Sequence, residues 1–226
     1  MTAAKTIPES DAADAPFAFN EASLAEARRI LAKYPEGRER SAVLPLLDLA
    51  QRQHGWISRG VVEAVAELAK TPPIRVWEVV TFYTMYNQGR IGRHHVQICT
   101  NVSCWLRGAD EIVRAAREVF GVEFGQTTDD GTATVSEVEC LGACVNAPMV
   151  QIDDDYHEDL DYESAKALFH AIRQGHAVQA GSWAKRQCSA PAGERSTLTA
   201  DPTTPEGGKW IAADSPAAGA SAGGAK

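Results

Sequence analysis

Four of the chain's five cysteines stand in two close pairs. "CTNVSCWLRG" puts four residues between Cys99 and Cys104, "ECLGACVNAP" puts three between Cys140 and Cys144, and thirty-five residues lie between the pairs. Four thiolates brought to one place make a site for zinc or for an iron-sulfur cluster. Inert burial as small hydrophobes is the plain alternative, since free cysteine packs well in cores. Two short-spaced pairs in loop-like sequence argue against it. The thioredoxin redox motif C-x-x-C is missing, which weakens a dithiol oxidoreductase, and so are the C-x(2)-C knuckles of zinc ribbons. C-x(4)-C matches one spacing of plant-type ferredoxins, whereas the second pair differs from that pattern.

The residues between the cysteines favour a [2Fe-2S] cluster over zinc. Such a centre is a net anion that gains further negative charge on reduction, so it needs N–H donors at sulfur and few bulky neighbours. Gly142 and Ala143 fill one gap, and Thr100, Asn101 and Ser103 offer polar, turn-forming residues in the other.

These loops need elements to position them. "HHVQICT" reads as a buried strand ending at the first pair, and "TATVSEVEC" as an alternating strand ending at the second. Two loops at one end of a sheet would then face each other. "ADEIVRAAREVFG" between them is a helix with Ile112, Ala115, Ala116 and Val119 inward, closed by Gly121. "PMVQID" is a further strand, a short edge strand follows the turn near Asp153 to Asp155, and "YESAKALFHAIRQG" is a last helix with Ala165, Leu168, Phe169 and Ile172 inward. The order βαβββα describes an α/β domain of thioredoxin-like type.

Ahead of it the period is helical. "SLAEARRILAKY" carries a capping box on Ser23 and Glu26; "SAVLPLLDLAQRQHGW" is capped by Ser41 and closed by Gly55; "SRGVVEAVAELAK" is capped by Ser58; and a fourth helix starts at Pro72-Pro73 with Val76, Val79, Val80 and Tyr83 as its stripe. The fold class is therefore α+β: residues 1–19 a loosely ordered leader, 20–90 a small helical bundle for partner docking, 91–180 the thioredoxin-like domain, and 181–226 an extended or disordered tail rich in Ala, Gly, Ser, Pro and Thr. Trp210 and Ile211 read as a stray apolar pair in that tail.

A chain of 226 residues with 44% hydrophobic content can bury a core, and no apolar run is long enough to span a bilayer. A net charge of −8 without a Lys/Arg stripe argues against nucleic acid. The first twenty residues lack a secretory or transit pattern, so the expectation is a cytoplasmic protein whose membrane link runs through a partner. No G-x-G-x-x-G follows a strand, so this chain is not expected to bind a dinucleotide itself.

"VQICTNVSCWLRGA" and "VECLGACVNAPMVQIDDDYHEDL" resemble the ligand loops of the thioredoxin-like [2Fe-2S] ferredoxin family, and within it the branch that serves as the E component of respiratory NADH:quinone oxidoreductase (complex I). "SAVLPLLDLAQRQHGWIS", "PPIRVWEVVTFYTMYN" and "RQCSAPAGERSTLT" carry the resemblance over about residues 20 to 200. It implies that Cys99, Cys104, Cys140 and Cys144 ligate one binuclear cluster, that FMN and NADH are bound only by a partner subunit, and that this chain supplies no catalytic residue of its own. It also implies NADH oxidation coupled to quinone reduction in the peripheral arm, at the inner face of a bacterial plasma membrane. A small diaphorase subunit of an NAD-linked formate dehydrogenase or hydrogenase is the alternative in the same chemistry, and a zinc-stabilised binding or assembly module the alternative in another class.

Several other residues bear on the reading. Glu194 departs from the glycine usual in the family's tail, and Cys188 reads as a free thiol outside the ligand set. Pro148 stands where thioredoxin-like folds often carry a cis proline, while trans is the base rate. Trp105 and Leu106 read as core contacts rather than a shield, and His94 and His95 as strand-edge residues rather than Rieske-type ligands. Arg107 either offsets cluster charge or opens the next helix. The Val76 to Tyr83 stripe reads as packing, with Trp77 or Phe82 as candidates to face a partner.

Overall fold

A computed structural model describes residues 16–186. The first helix, α1 (Glu21–Leu31), is capped by Asn20, whose side chain accepts from the Ser23 N–H. The expected cap at Ser23 lies three residues too late: asparagine caps as well as serine, and here it comes first. A 3-10 turn (Glu39–Ala42) leads into α2 (Val43–His54), so Ser41 sits inside that turn and caps nothing. Pro45 falls in the first turn of α2, where its missing N–H breaks no hydrogen bond. Gly55 closes α2 at φ +89, a conformation that favours glycine.

Helix α3 (Arg59–Leu68) is capped by Ser58, whose hydroxyl accepts from Val61 N–H, and α4 (Pro73–Phe82) starts on its proline. Leu46, Leu47, Val61, Val65, Val76 and Val80 are fully buried in one apolar cluster with Tyr86. Each such large aliphatic contributes about 1.5–3 kcal/mol on leaving water. Val79 packs half-buried against this cluster, while Tyr83 is exposed.

Strand β1 (His94–Cys99) begins the second part, followed by the short helix α5 (Val102–Leu106) and by α6 (Ala109–Phe120). Then come β2 (Gln126–Thr127), β3 (Ala133–Val138), a 3-10 turn (Cys144–Asn146), β4 (Val150–Ile152), β5 (Asp155–Glu158), α7 (Tyr162–Arg173) and β6 (Gly181–Ser182). The sheet order is β2-β3-β1-β4-β5-β6. β1 and β3 run parallel, β4 is antiparallel to β1, β5 is antiparallel to β4, and β6 is parallel to β5.

This mixed sheet under two helices is thioredoxin-like. Val96, Ile98, Ala133, Val135, Val150 and Ile152 face α6 and α7, where Phe120 and Phe169 meet at 5.3 Å between ring centroids. The alternate residues of β1, His95 and Gln97, are only half-buried, so β1 alternates instead of being buried on both faces. β5 is not an edge strand, because β6 covers it, and β6 itself falls at the start of the segment expected to be tail. The helical part meets the sheet through Arg52, whose guanidinium makes a forked pair with Asp154 in the β4–β5 turn at 2.7 and 3.2 Å.

Candidate metal centre

Parallel pairing of β1 with β3 aligns Cys99 with Val138, so the loops that follow both strands leave from the same end of the sheet. α5 lifts out of the first loop because the Asn101 side chain caps it, accepting from Val102 N–H. That helical turn carries Cys104 back beside Cys99. Both thiols are buried, packed against Ala109, Ala147 and Met149, and hydrogen-bonded to each other. Burial first, then that bond, push the Cys104 thiol up to about 12.

The second loop is exposed. Cys140 and Cys144 stand with their Sγ atoms 3.2 Å apart. The hydrogen bond from Cys144, with the Gly142 N–H, lowers the Cys140 thiol; the same bond raises Cys144, against the pull of the Ser103 hydroxyl. Gly142 reaches φ +86, the left-handed conformation glycine adopts without strain.

Three groups lower the thiols and so favour the thiolates: the backbone of Gly142 at Cys140, the backbone of Met149 at Cys104, and the Ser103 side chain at Cys144. Gly142 and Ser103 are legible as donors in the sequence. The side chains of Thr100 and Asn101 are engaged elsewhere, donating to Glu137 and Glu139. Met149 N–H has no sequence signal of its own; it follows the Ala147–Pro148 peptide, which is cis.

The donor set fits a binuclear cluster. Among the described residues the thiols are grouped as two pairs, Cys99 with Cys104 and Cys140 with Cys144. Zinc gathers four donors around a single ion, whereas a [2Fe-2S] group takes four cysteines, two at each iron.

The other sequence candidates fall outside the thiol site. His94 Nδ1 lies 2.7 Å from Asp153, and His95 Nε2 is 2.9 Å from Ser136, at the start of a central strand instead of an edge. Arg107 ends α5, and its charge acts on Asp159. Trp105 and Leu106 are not core contacts: they are 57% and 71% exposed, and Val102 and Val145, also on the two cysteine-bearing loops, are exposed as well. Trp77 is half-buried against the helical core, while Phe82 is exposed. Cys188, Glu194, Trp210 and Ile211 lie outside the described residues.

Two contacts without a sequence signal steady the second loop. Tyr156 donates from its hydroxyl to Leu141 O at 2.8 Å, and Arg186 reaches Val145 O at 3.0 Å. Neither residue belongs to a recognisable pattern; only the β5 register and the path of the chain after α7 bring them there.

Residues 27–173 match the family model described as thioredoxin-like [2Fe-2S] ferredoxin. The E component of NADH-quinone oxidoreductase from Rickettsia conorii is 53% identical over 158 residues, which cover 70% of this chain and 95% of the relative. The mitochondrial NADH dehydrogenase [ubiquinone] flavoprotein 2 of Dictyostelium discoideum is 42% identical over 191 residues, 84% of this chain and 77% of that protein. Among solved structures, an NAD+-reducing [NiFe]-hydrogenase in the H2-reduced state aligns with TM-score 0.53 at 20% identity, over 61% of this chain and 23% of that one, a likeness of fold. Matched by the family model over residues 27–173 and 53% identical to the Rickettsia relative, the chain belongs to the thioredoxin-like [2Fe-2S] ferredoxin family.

Proposed function

We propose that Cys99, Cys104, Cys140 and Cys144 hold one [2Fe-2S] cluster, and that the chain carries single electrons as a subunit of a respiratory NADH:quinone oxidoreductase. The observation that carries the ligand set is the pairing of four thiols at one end of parallel strands β1 and β3. The assignment to the quinone-reducing complex is supported by the name of a relative matched over 95% of its length. This weighs against a hydrogenase diaphorase, for which the structural likeness speaks only to fold.

When bound, the cluster supplies one-electron redox chemistry that a hydride carrier lacks. The protein's residues then have three tasks. Cys99 and Cys104 seat one side in a dry pocket with Ala147 and Met149. The N–H groups of Gly142 and Met149 and the Ser103 hydroxyl point positive dipoles at sulfur, offsetting negative charge there. Cys140 and Cys144 leave the other side open to an electron donor.

That donor is a flavin- and NADH-binding partner, docked on the rim of Val102, Trp105, Leu106 and Val145; this chain has no dinucleotide motif. Exposed Ile74, Phe82, Tyr83 and Met85 give the helical unit of residues 20–90 an apolar face suited to holding the chain in the assembly. No helix among the described residues is long and apolar enough to cross a membrane, so attachment to the inner membrane face runs through other subunits.

Metal and sulfide analysis with low-temperature EPR tests the reading. Two irons and two sulfides per chain, silent when oxidised and giving a single one-electron signal after dithionite, are expected. Stoichiometric zinc, persisting after reconstitution with iron and sulfide, would sink it.

A further inference from the structure

The loop that carries Cys144 is held mostly from outside itself. Its 3-10 turn is closed by Asn146 N–H to Ala143 O at 3.0 Å and by a long Ala147 N–H to Cys144 O contact of 3.4 Å. The firmer bonds come from elsewhere. Arg186 Nη2 donates to Val145 O at 3.0 Å and to Asn146 Oδ1 at 2.5 Å, while Asn146 Nδ2 donates to Glu158 at 2.6 Å and Asp159 N–H to Asn146 O at 2.7 Å.

Arg186 is itself held. Its Nε donates to Asp159 Oδ2 at 2.9 Å and its Nη2 to Oδ1, a forked pair in which both side chains are only 12% exposed. Ser182, from β6, donates to the same carboxylate at 2.6 Å and accepts from Arg186 N–H at 3.1 Å. One planar cation thus ties three segments together: the turn at Cys144, the end of β5 and the chain beyond β6.

We infer that Arg186 is a positioning residue for the cluster, its Asp159-held guanidinium fixing the Val145–Asn146 backbone and so the place of the Cys144 thiolate. This rests on the ligand assignment proposed above. Because Asp159 neutralises the arginine locally, the action is one of geometry rather than charge. Lysine keeps the charge but lacks the fork, and it cannot hold carboxylate, carbonyl and amide oxygens together.

The full chain loaded with its cluster provides the test, with Arg186→Lys and Arg186→Gln compared to wild type. Both variants are expected to release iron to a chelator about ten- to a hundredfold faster, to shift the EPR g-values of the reduced form alike, and to speed amide exchange across residues 143–147. Asp159→Asn moves the same readouts in the same direction. Glu118→Gln, which removes the carboxylate charge and so weakens the α6–α7 bonds from Tyr162 and Lys166, controls for general loss of stability and keeps the wild-type spectrum.

A wild-type spectrum and iron-release rate in Arg186→Lys would overturn the inference, as would equal changes in Glu118→Gln at matched stability. Should the Arg186 variants fail to fold, Asn146→Ala removes the guanidinium's contact with Oδ1 together with the Nδ2 bond to Glu158, and an unshifted spectrum there also overturns it. A wild-type chain that takes up no iron or sulfide defeats the ligand assignment instead, and this inference with it.

Discussion

Cys99 and Val138 are register partners at the last positions of two parallel strands, β1 and β3. Since parallel strands end on the same side, the turn after Cys99 and the turn after Val138 must emerge together. The next residues on the two paths bring Cys104 and Cys140. The thiol site is thus a consequence of strand direction, and its two halves differ in burial: Cys99 and Cys104 lie inside, Cys140 and Cys144 at the surface.

That difference separates two substitutions. Cys140→Ala is expected to abolish the cluster signal while leaving the fold and the helical part intact, because its thiol fills no core space. Cys99→Ala should abolish the signal and also lower stability by about 0.5–3 kcal/mol, since it empties part of a buried cluster. Absorbance and EPR read the first effect, and a urea titration the second. A normal [2Fe-2S] spectrum in Cys140→Ala would contradict the ligand set.

Gly92 lies where β3 begins, and its N–H donates to Thr134 Oγ1 at 2.7 Å. A Cβ there would stand 2.8 Å from the carbonyl carbon and 2.9 Å from the nitrogen of Ala133, backbone atoms that cannot turn aside. Gly92→Ala should cost about 1–3 kcal/mol. An unchanged urea midpoint would show that the strand start can shift freely.

Asp130 supplies a dependence on acid. The Thr128 hydroxyl and the Thr132 N–H donate to its carboxylate and hold it at about 2, below the ordinary 3.8. The unfolded chain takes up that proton more readily, so the contribution to stability is whole above about pH 4 and lost as pH falls through about 2. Wild type should therefore lose its advantage over Asp130→Asn as a denaturant series moves from about pH 5 to about pH 2. A gap constant across that range would remove the carboxylate from the account.

The exposed rim beside the thiols predicts an interface effect without a folding effect. Leu106 is 71% exposed, so Leu106→Glu should change stability by no more than about 0.5 kcal/mol. Its affinity for the proposed flavin-bearing partner should fall, because a charge would enter an apolar contact. Pull-down and calorimetry with the partner would measure this, and full affinity in the variant would place the docking surface elsewhere.

Local signals are clear where one residue type decides the conformation. The helix periods from Val43 to His54 and from Ala109 to Phe120 are legible, as are the Ser58 cap and the glycine stops at Gly55 and Gly121. Where neighbours of similar propensity compete, local reasoning fails, favouring Ser23 over Asn20 and Ser41 over the preceding 3-10 turn. The five-residue α5 and the two-residue β2 and β6 lie below what any hydrophobic period can register.

By itself the sequence determined the two strands that lead to the thiols, the long helices behind them and which four cysteines come in pairs, because spacing and periodicity are properties of neighbouring residues. Tertiary structure alone decided which distant groups reach the loops that carry the thiols. The Met149 N–H, the Tyr156 hydroxyl and the Arg186 guanidinium reach the ligand loops from segments distant in the chain. Such contacts depend on strand register and on the route of the chain after α7, and no local pattern encodes a meeting that exists only once the sheet has closed.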